Sequence, residues 1–107
     1  MKKLFLTFIA AGMTFSSSMA LAADKLTLQL QWVTQAQFAG YYVALDKGYY
    51  DDEGLDVTIK PGGPDIAPPQ VLAGGGADMM LNWMPSALAA RERGVPIVNI
   101  AQPFKSS

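Results

Sequence analysis

The sequence predicts an α/β fold: a mainly parallel sheet joined by right-handed βαβ crossovers. Two observations in the residues point to the α/β class. Short stretches alternating apolar and polar residues recur between stretches whose apolar residues stand three and four apart. Glycine or proline closes nearly every stretch, so the connections are short, and the order βαβαβαβ with such connections implies parallel strands.

Leu26-Thr27-Leu28-Gln29-Leu30 alternates with the period of a strand. Phe38, Tyr42, Leu45 and Tyr49 then recur at four, three and four, with Ala39 and Val43 widening the stripe. This spacing predicts a helix over residues 37–47 whose stripe is core, with Gly48 as its C-cap. Tyr41 lies off the stripe and takes no assignment. Tyr49-Tyr50-Asp51-Asp52-Glu53-Gly54 reads as a further short turn, and its acidic residues as a solvated surface, since their spacing is not that of a calcium loop. Leu55-Asp56-Val57-Thr58-Ile59-Lys60 is a second strand, stopped by Pro61 and followed by a Gly62-Gly63-Pro64-Asp65 loop. A short helix over residues 68–73 begins with paired prolines, whose missing N–H groups do least harm in a first turn. After Gly74-Gly75-Gly76, the stretch Ala77-Asp78-Met79-Met80-Leu81 is a third strand. A third helix covers residues 86–93 and is capped by Gly94. Pro96-Ile97-Val98-Asn99-Ile100-Ala101 is a fourth strand.

Composition narrows the function. The chain has 107 residues, 16% of them charged, a formal net charge of −1, and neither Cys nor His. It lacks the basic footprint of a nucleic-acid binder. It has no thiolate ligand or thiol nucleophile, and it lacks both the usual general base and the commonest zinc ligand. Much enzyme chemistry is thereby set aside, and no metal or cofactor is expected.

Residues 1–22 read as a signal peptide. Lys2 and Lys3 precede the apolar run Leu4-Phe5-Leu6-Thr7-Phe8-Ile9-Ala10-Ala11-Gly12-Met13, and Ala20-Leu21-Ala22 forms a small-x-small site cut after Ala22. The run is short of the roughly 18 apolar residues a membrane span requires. With no Cys near the cut, no lipid anchor is expected, and the periplasm of a two-membrane bacterium is the expected location. Residues 23–107 then carry six basic residues against nine acidic ones. Four strands are a thin core for this class, so these residues read as a partial N-terminal lobe, truncated at its C-terminal side.

Ligands of parallel sheets sit at the carboxyl ends of the strands. Those ends carry Gln31-Trp32-Val33-Thr34-Gln35 after the first strand and Asn82-Trp83-Met84-Pro85-Ser86 after the third. Indole faces stack on flat rings, and amides both donate to and accept from a heterocycle edge. One Trp in such a place is as readily core as contact. Two of them, at the ends of different strands and each beside an amide, point to a site. Gly74-Gly75-Gly76 is no phosphate cradle, because it leads from helix to strand and lacks the Gly-Lys-Ser/Thr that would follow. Arg91 and Arg93 suit the dipole at a helix C-terminus.

Several segments carry a resemblance: Leu30-Gln31-Trp32, Gln35-Ala36-Gln37-Phe38-Ala39-Gly40-Tyr41-Tyr42, Lys47-Gly48-Tyr49-Tyr50, Gly54-Leu55-Asp56-Val57, Pro61-Gly62-Gly63-Pro64-Asp65, Gly76-Ala77-Asp78 and Arg93-Gly94-Val95-Pro96. Over residues 28–103 the chain resembles the NMT1/THI5-like family, periplasmic substrate-binding proteins related to the thiamine-pyrimidine synthases of fungi. The resemblance implies a type II periplasmic binding protein, hinged and two-lobed and a monomer when full length, of which this chain would be the first half of one lobe. It would deliver a pyrimidine precursor of thiamine to the permease and ATPase subunits of an ABC importer, without nucleic acid or a membrane anchor. Related branches take sulfonates, taurine or riboflavin. The implied ligand contacts are Trp32 stacked on the ring, Gln31 and Asn82 at its edge, and Gln35, Trp83 and Ser86 lining the cleft. In the synthases a cofactor-bearing lysine aligns with Asn82 and a consumed histidine with Ser86. Asn forms no Schiff base and Ser supplies no imidazole, so the resemblance implies binding without catalysis.

Overall fold

A computed structural model describes residues 21–105. The expected signal peptide, apart from Leu21 and Ala22, lies outside the described residues. Strand β1 (Asp24–Gln29) occupies the middle of a three-stranded sheet, between β2 (Leu55–Lys60) and β3 (Met79–Met80), and both pairings are parallel. The connections carry a 3₁₀ turn (Ala36–Phe38) and helices α1 (Ala39–Asp46) and α2 (Tyr49–Asp52) between β1 and β2. Helix α3 (Pro68–Ala73) leads from β2 to β3, and α4 (Met84–Glu92) follows β3. This is the expected α/β architecture of part of a binding-protein lobe.

The central strand departs from simple alternation. Asp24 and Lys25 are exposed, Leu26 and Thr27 half-buried, and Leu28, Gln29 and Leu30 are buried in succession. A strand covered on both faces buries consecutive residues. Leu28 and Leu30 join Phe38 and Val57 in the core, with Tyr41, Tyr42 and Tyr50 packed around them, while Gln29 points to the side of α3. On edge strand β2 the alternation holds, with Val57 buried and Asp56, Thr58 and Lys60 exposed.

The helix stripe is corrected. Phe38 is buried and Tyr42 half-buried, but Val43, Leu45 and Tyr49 are exposed. Within α1 the half-buried residues are Tyr41, Tyr42 and Ala44, and Gly48 in the left-handed conformation separates Tyr49 from that helix. Tyr41 and Tyr50 face the core instead, with the Tyr50 hydroxyl donating to the Tyr41 carbonyl at 3.3 Å. Gly48, at φ +73°, takes the left-handed conformation that closes α1, as expected of a C-cap glycine.

Strand β3 is two residues long, not five. Its approach to β1 is made by Asp78, whose N–H donates to the Thr27 carbonyl at 2.9 Å while its Oδ2 accepts the Thr27 N–H at 2.8 Å. A side-chain carboxylate thus takes the position of a ladder carbonyl. Helix α4 begins at Met84, two residues before the expected start, with Pro85 in its first turn.

The expected fourth strand, residues 96–101, is not formed. The Ile97 N–H bonds back to the Val95 carbonyl at 2.9 Å, and the Arg91 guanidinium donates to the Ile97 carbonyl at 2.9 Å. These local bonds occupy groups that a ladder would need, and Val98 and Ile100 stand exposed. Arg91 therefore fixes a carbonyl beyond its helix as well as complementing the helix dipole.

Candidate functional site at the carboxyl edge of the sheet

Because the three strands are parallel, their carboxyl ends form one edge. The register sets Gln29 beside Lys60 on one side and Met80 on the other. Main-chain bonds continue past the strands, from the Leu30 N–H to the Lys60 carbonyl at 2.8 Å and from the Leu81 N–H to the Gln29 carbonyl at 2.9 Å. The loops after β1 and β3 therefore leave the sheet as neighbours, and together with the first turn of α4, which holds Ser86, they carry the six expected contact residues.

Gln31 is half-buried, Trp32 is 41% exposed and Gln35 is exposed. The Gln35 carbonyl accepts the Phe38 N–H at 2.9 Å and starts the 3₁₀ turn, which leaves its side chain free of that task. Trp83, 60% exposed, occupies the position just before α4. Neither indole belongs to the core, so packing does not account for them. Asn82 and Ser86 are brought together, with Asn82 Nδ2 donating to Ser86 Oγ at 3.1 Å. That bond leaves the Asn82 Oδ1 as an acceptor and the Ser86 hydroxyl as a donor, the complementary pair a heterocycle edge needs. The partner of Ser86 is an amide donor, which takes no proton from the hydroxyl, so the pair is not an activated nucleophile.

The loop after β2 completes the edge. An open hollow of about 440 Å³ lies between it, the end of β1 and α3, lined by Gln29, Lys60, Pro61, Asp65, Ile66, Ala67, Gln70 and Val71. None of the six expected contact residues lines it. Gln29 is its buried member at 2% exposure. Its Nε2 donates to the carbonyls of Leu30 at 3.0 Å and Pro61 at 3.1 Å, with that of Lys60 more distant at 3.4 Å. Sequence alternation gave Gln29 no role, since a polar residue between two leucines reads as an outward position. Only its place on the central strand makes it buried and therefore in need of partners. The Lys60 Nζ is engaged with the Gly76 carbonyl at 2.9 Å.

Tyrosines back the β1 loop. The Tyr42 hydroxyl and Thr34 Oγ1 lie 3.0 Å apart in a hydrogen bond. Burial pushes the Tyr41 phenol above its usual pKa, and burial followed by the neighbouring Tyr41 pushes Tyr50 up as well. Both phenols stay neutral at physiological pH, so they serve as packing and donor groups, not as bases. Among the described residues no group of three carboxylate, imidazole or thiol side chains could hold a metal ion.

Known proteins are similar to this chain in sequence. A formylaminopyrimidine-binding protein of Halalkalibacterium halodurans is 31% identical over 103 residues, covering 96% of this chain and 31% of that protein. The 4-amino-5-hydroxymethyl-2-methylpyrimidine phosphate synthase of Candida albicans is 35% identical over 90 residues, 78% of this chain and 26% of the synthase. The Saccharomyces cerevisiae synthase THI5 is 33% identical over 90 residues, again 78% of this chain and 26% of the synthase. The chain thus spans about a third of the length of the first relative and about a quarter of the other two. The family described as NMT1/THI5 like matches residues 35–107, and the chain belongs to that family.

Proposed function

We propose that this chain is part of a solute-binding component of an ABC importer, taking up a hydroxymethylpyrimidine-like precursor of thiamine. The carrying observation is the pair of exposed indoles, Trp32 and Trp83, at the ends of neighbouring parallel strands, each beside a carboxamide. In this reading Trp32 stacks on the ring and Gln31 and Asn82 address its edge. Gln35, Trp83 and Ser86 line the cleft. Closure of a second lobe over this edge buries the ligand and rejects analogues that leave an amide unpaired. The similarity to a formylaminopyrimidine-binding protein supports the ligand class.

The synthases among the relatives offer the competing reading. Against it stands the residue chemistry at the β3 end, where Asn82 supplies an amide in place of an amine and Ser86 a hydroxyl in place of an imidazole. We therefore read the site as non-catalytic. Residues 1–22 have the pattern of a cleaved signal peptide, which supports delivery to the periplasm and a permease and ATPase partner in the inner membrane.

Titration of the intact protein with hydroxymethyl- and formylaminomethyl-pyrimidines, followed by tryptophan fluorescence, tests the reading. Saturable quenching is expected, and it should fall sharply in Trp32→Ala. An unchanged emission at millimolar ligand removes the pyrimidine. An internal aldimine band on adding pyridoxal phosphate would restore the enzyme.

A further inference from the structure

Trp32 lies in a bend, residues 31–34, that belongs to no helix or strand, yet a stacking indole must be held in place to select a ring. Two contacts hold it. The Gly62 N–H donates to the Trp32 carbonyl at 2.9 Å. At the same point a Cβ on Gly62 would stand 2.6 Å from the Gln31 carbonyl carbon, the Leu30 oxygen and the Trp32 nitrogen. All three are backbone atoms that cannot swing aside, so the loop after β2 presses on the loop after β1 more closely than any side chain allows. Gln29 keeps them in register, because its buried amide bonds the carbonyls of both Leu30 and Pro61. Two residues beyond Trp32, Thr34 Oγ1 is tied to the hydroxyl of Tyr42, whose ring packs against the core.

We propose that Gly62 and Tyr42 are positioning residues for Trp32: the glycine backbone clamps the loop at the indole-bearing residue and the tyrosine hydroxyl pins its far end. Neither side chain needs to touch the ligand. Their effect on affinity rests on the proposed binding role of Trp32, whereas their effect on the indole itself does not.

The test reads the Trp32 indole N–H signal in ¹H–¹⁵N spectra of the intact protein, identified by its loss in Trp32→Phe. Gly62→Ala should shift or split that signal, while the Trp83 signal, identified by Trp83→Phe, stays in place. Tyr42→Phe and Thr34→Val should each move the Trp32 signal, and the double variant should move it no further than either alone, since both remove one bond. For formylaminomethyl-pyrimidine, Kd should rise about tenfold in Gly62→Ala. In Tyr42→Phe the rise should be about threefold, the worth of one modest hydrogen bond. A Trp32 signal unmoved by Gly62→Ala and Tyr42→Phe overturns the proposal. If Gly62→Ala yields no folded protein, Tyr42→Phe and Thr34→Val decide alone, each removing a single hydroxyl without adding bulk. A Trp32 signal that moves in a protein that binds no pyrimidine supports the clamp and removes the pyrimidine reading.

Discussion

Residues 30–35, after β1, and residues 95–104, after α4, both run without regular structure, but they differ in what holds them. The first segment starts at Leu30, the most buried side chain of the core, and is bonded to β2 at Leu30, to Gly62 at Trp32 and to Tyr42 at Thr34. Among the described residues, the second is bonded near its start, through Val95 to the Ala90 carbonyl and through Ile97 to Val95 and Arg91. Beyond Ile97 its apolar side chains stand in solvent, Val98 at 78% exposure and Ile100 at 71%. The contrast is in the reach of the partners that hold each segment: the Leu30–Lys60 and Trp32–Gly62 bonds each join residues 30 apart, whereas the Arg91–Ile97 bond joins residues 6 apart. The candidate recognition residues on the β1 side sit on the segment with the distant partners.

The largest way to break this contrast is to remove the anchor at the head of the first segment. Leu30 is fully buried among Leu28, Phe38 and Val57. Leu30→Ala should leave a cavity and cost about 2–5 kcal/mol of stability, read as a lower urea midpoint with little change in slope. The Trp32 emission should shift with it, because the cavity opens two residues from the indole. A loss well under 1 kcal/mol would mean that this end of β1 is not the packed centre described here.

A smaller effect separates the head of the second segment from its tail. Removing the Arg91 guanidinium leaves the Ile97 carbonyl without that donor while Ile97 itself remains buried. Arg91→Ala should cost about 1 kcal/mol, the net worth of one hydrogen bond. Amide exchange should quicken at Ile97 and leave Trp32 unaffected. Equal quickening in both segments would show that they open together, and the contrast would fail.

These contacts also explain which parts of the molecule the sequence made legible. Strand β2 and helix α3 have the expected bounds, because alternation up to Pro61 and the pair Pro68–Pro69 act within a few residues. Gly48 is equally local. The apolar spacing does not predict the exposure of Val43, Leu45 and Tyr49, because spacing fixes which residues share a face and not what covers that face. Residues 96–101 are rich in β-branched and apolar residues, yet such composition states only that a strand could form, and pairing needs a neighbour. At the site, parallel topology was enough to bring the loops carrying the two indoles and the amides to one edge. Gln29, Gly62 and Tyr42 were illegible there because each acts through a contact that only the folded register creates.

The smallest expected effect sharpens the contrast at its weak end. Val98 is a β-branched residue in a stretch with strand composition, but its side chain is 78% exposed. A surface substitution that breaks no cap, pair or packed contact usually changes stability by less than about 0.5 kcal/mol. Val98→Ser should therefore leave the unfolding midpoint of the chain of residues 1–107 nearly unchanged, while the same replacement at Val57 on β2, where the side chain is 7% exposed, should lower it clearly. Both valines lie in stretches rich in β-branched residues, so β-propensity alone gives them equal weight. If Val98→Ser costs as much as Val57→Ser, residues 96–101 are packed against something in solution and the second segment is held after all. If only Val57 matters, a β-propensity written in the sequence has little energetic content until another strand lies beside it.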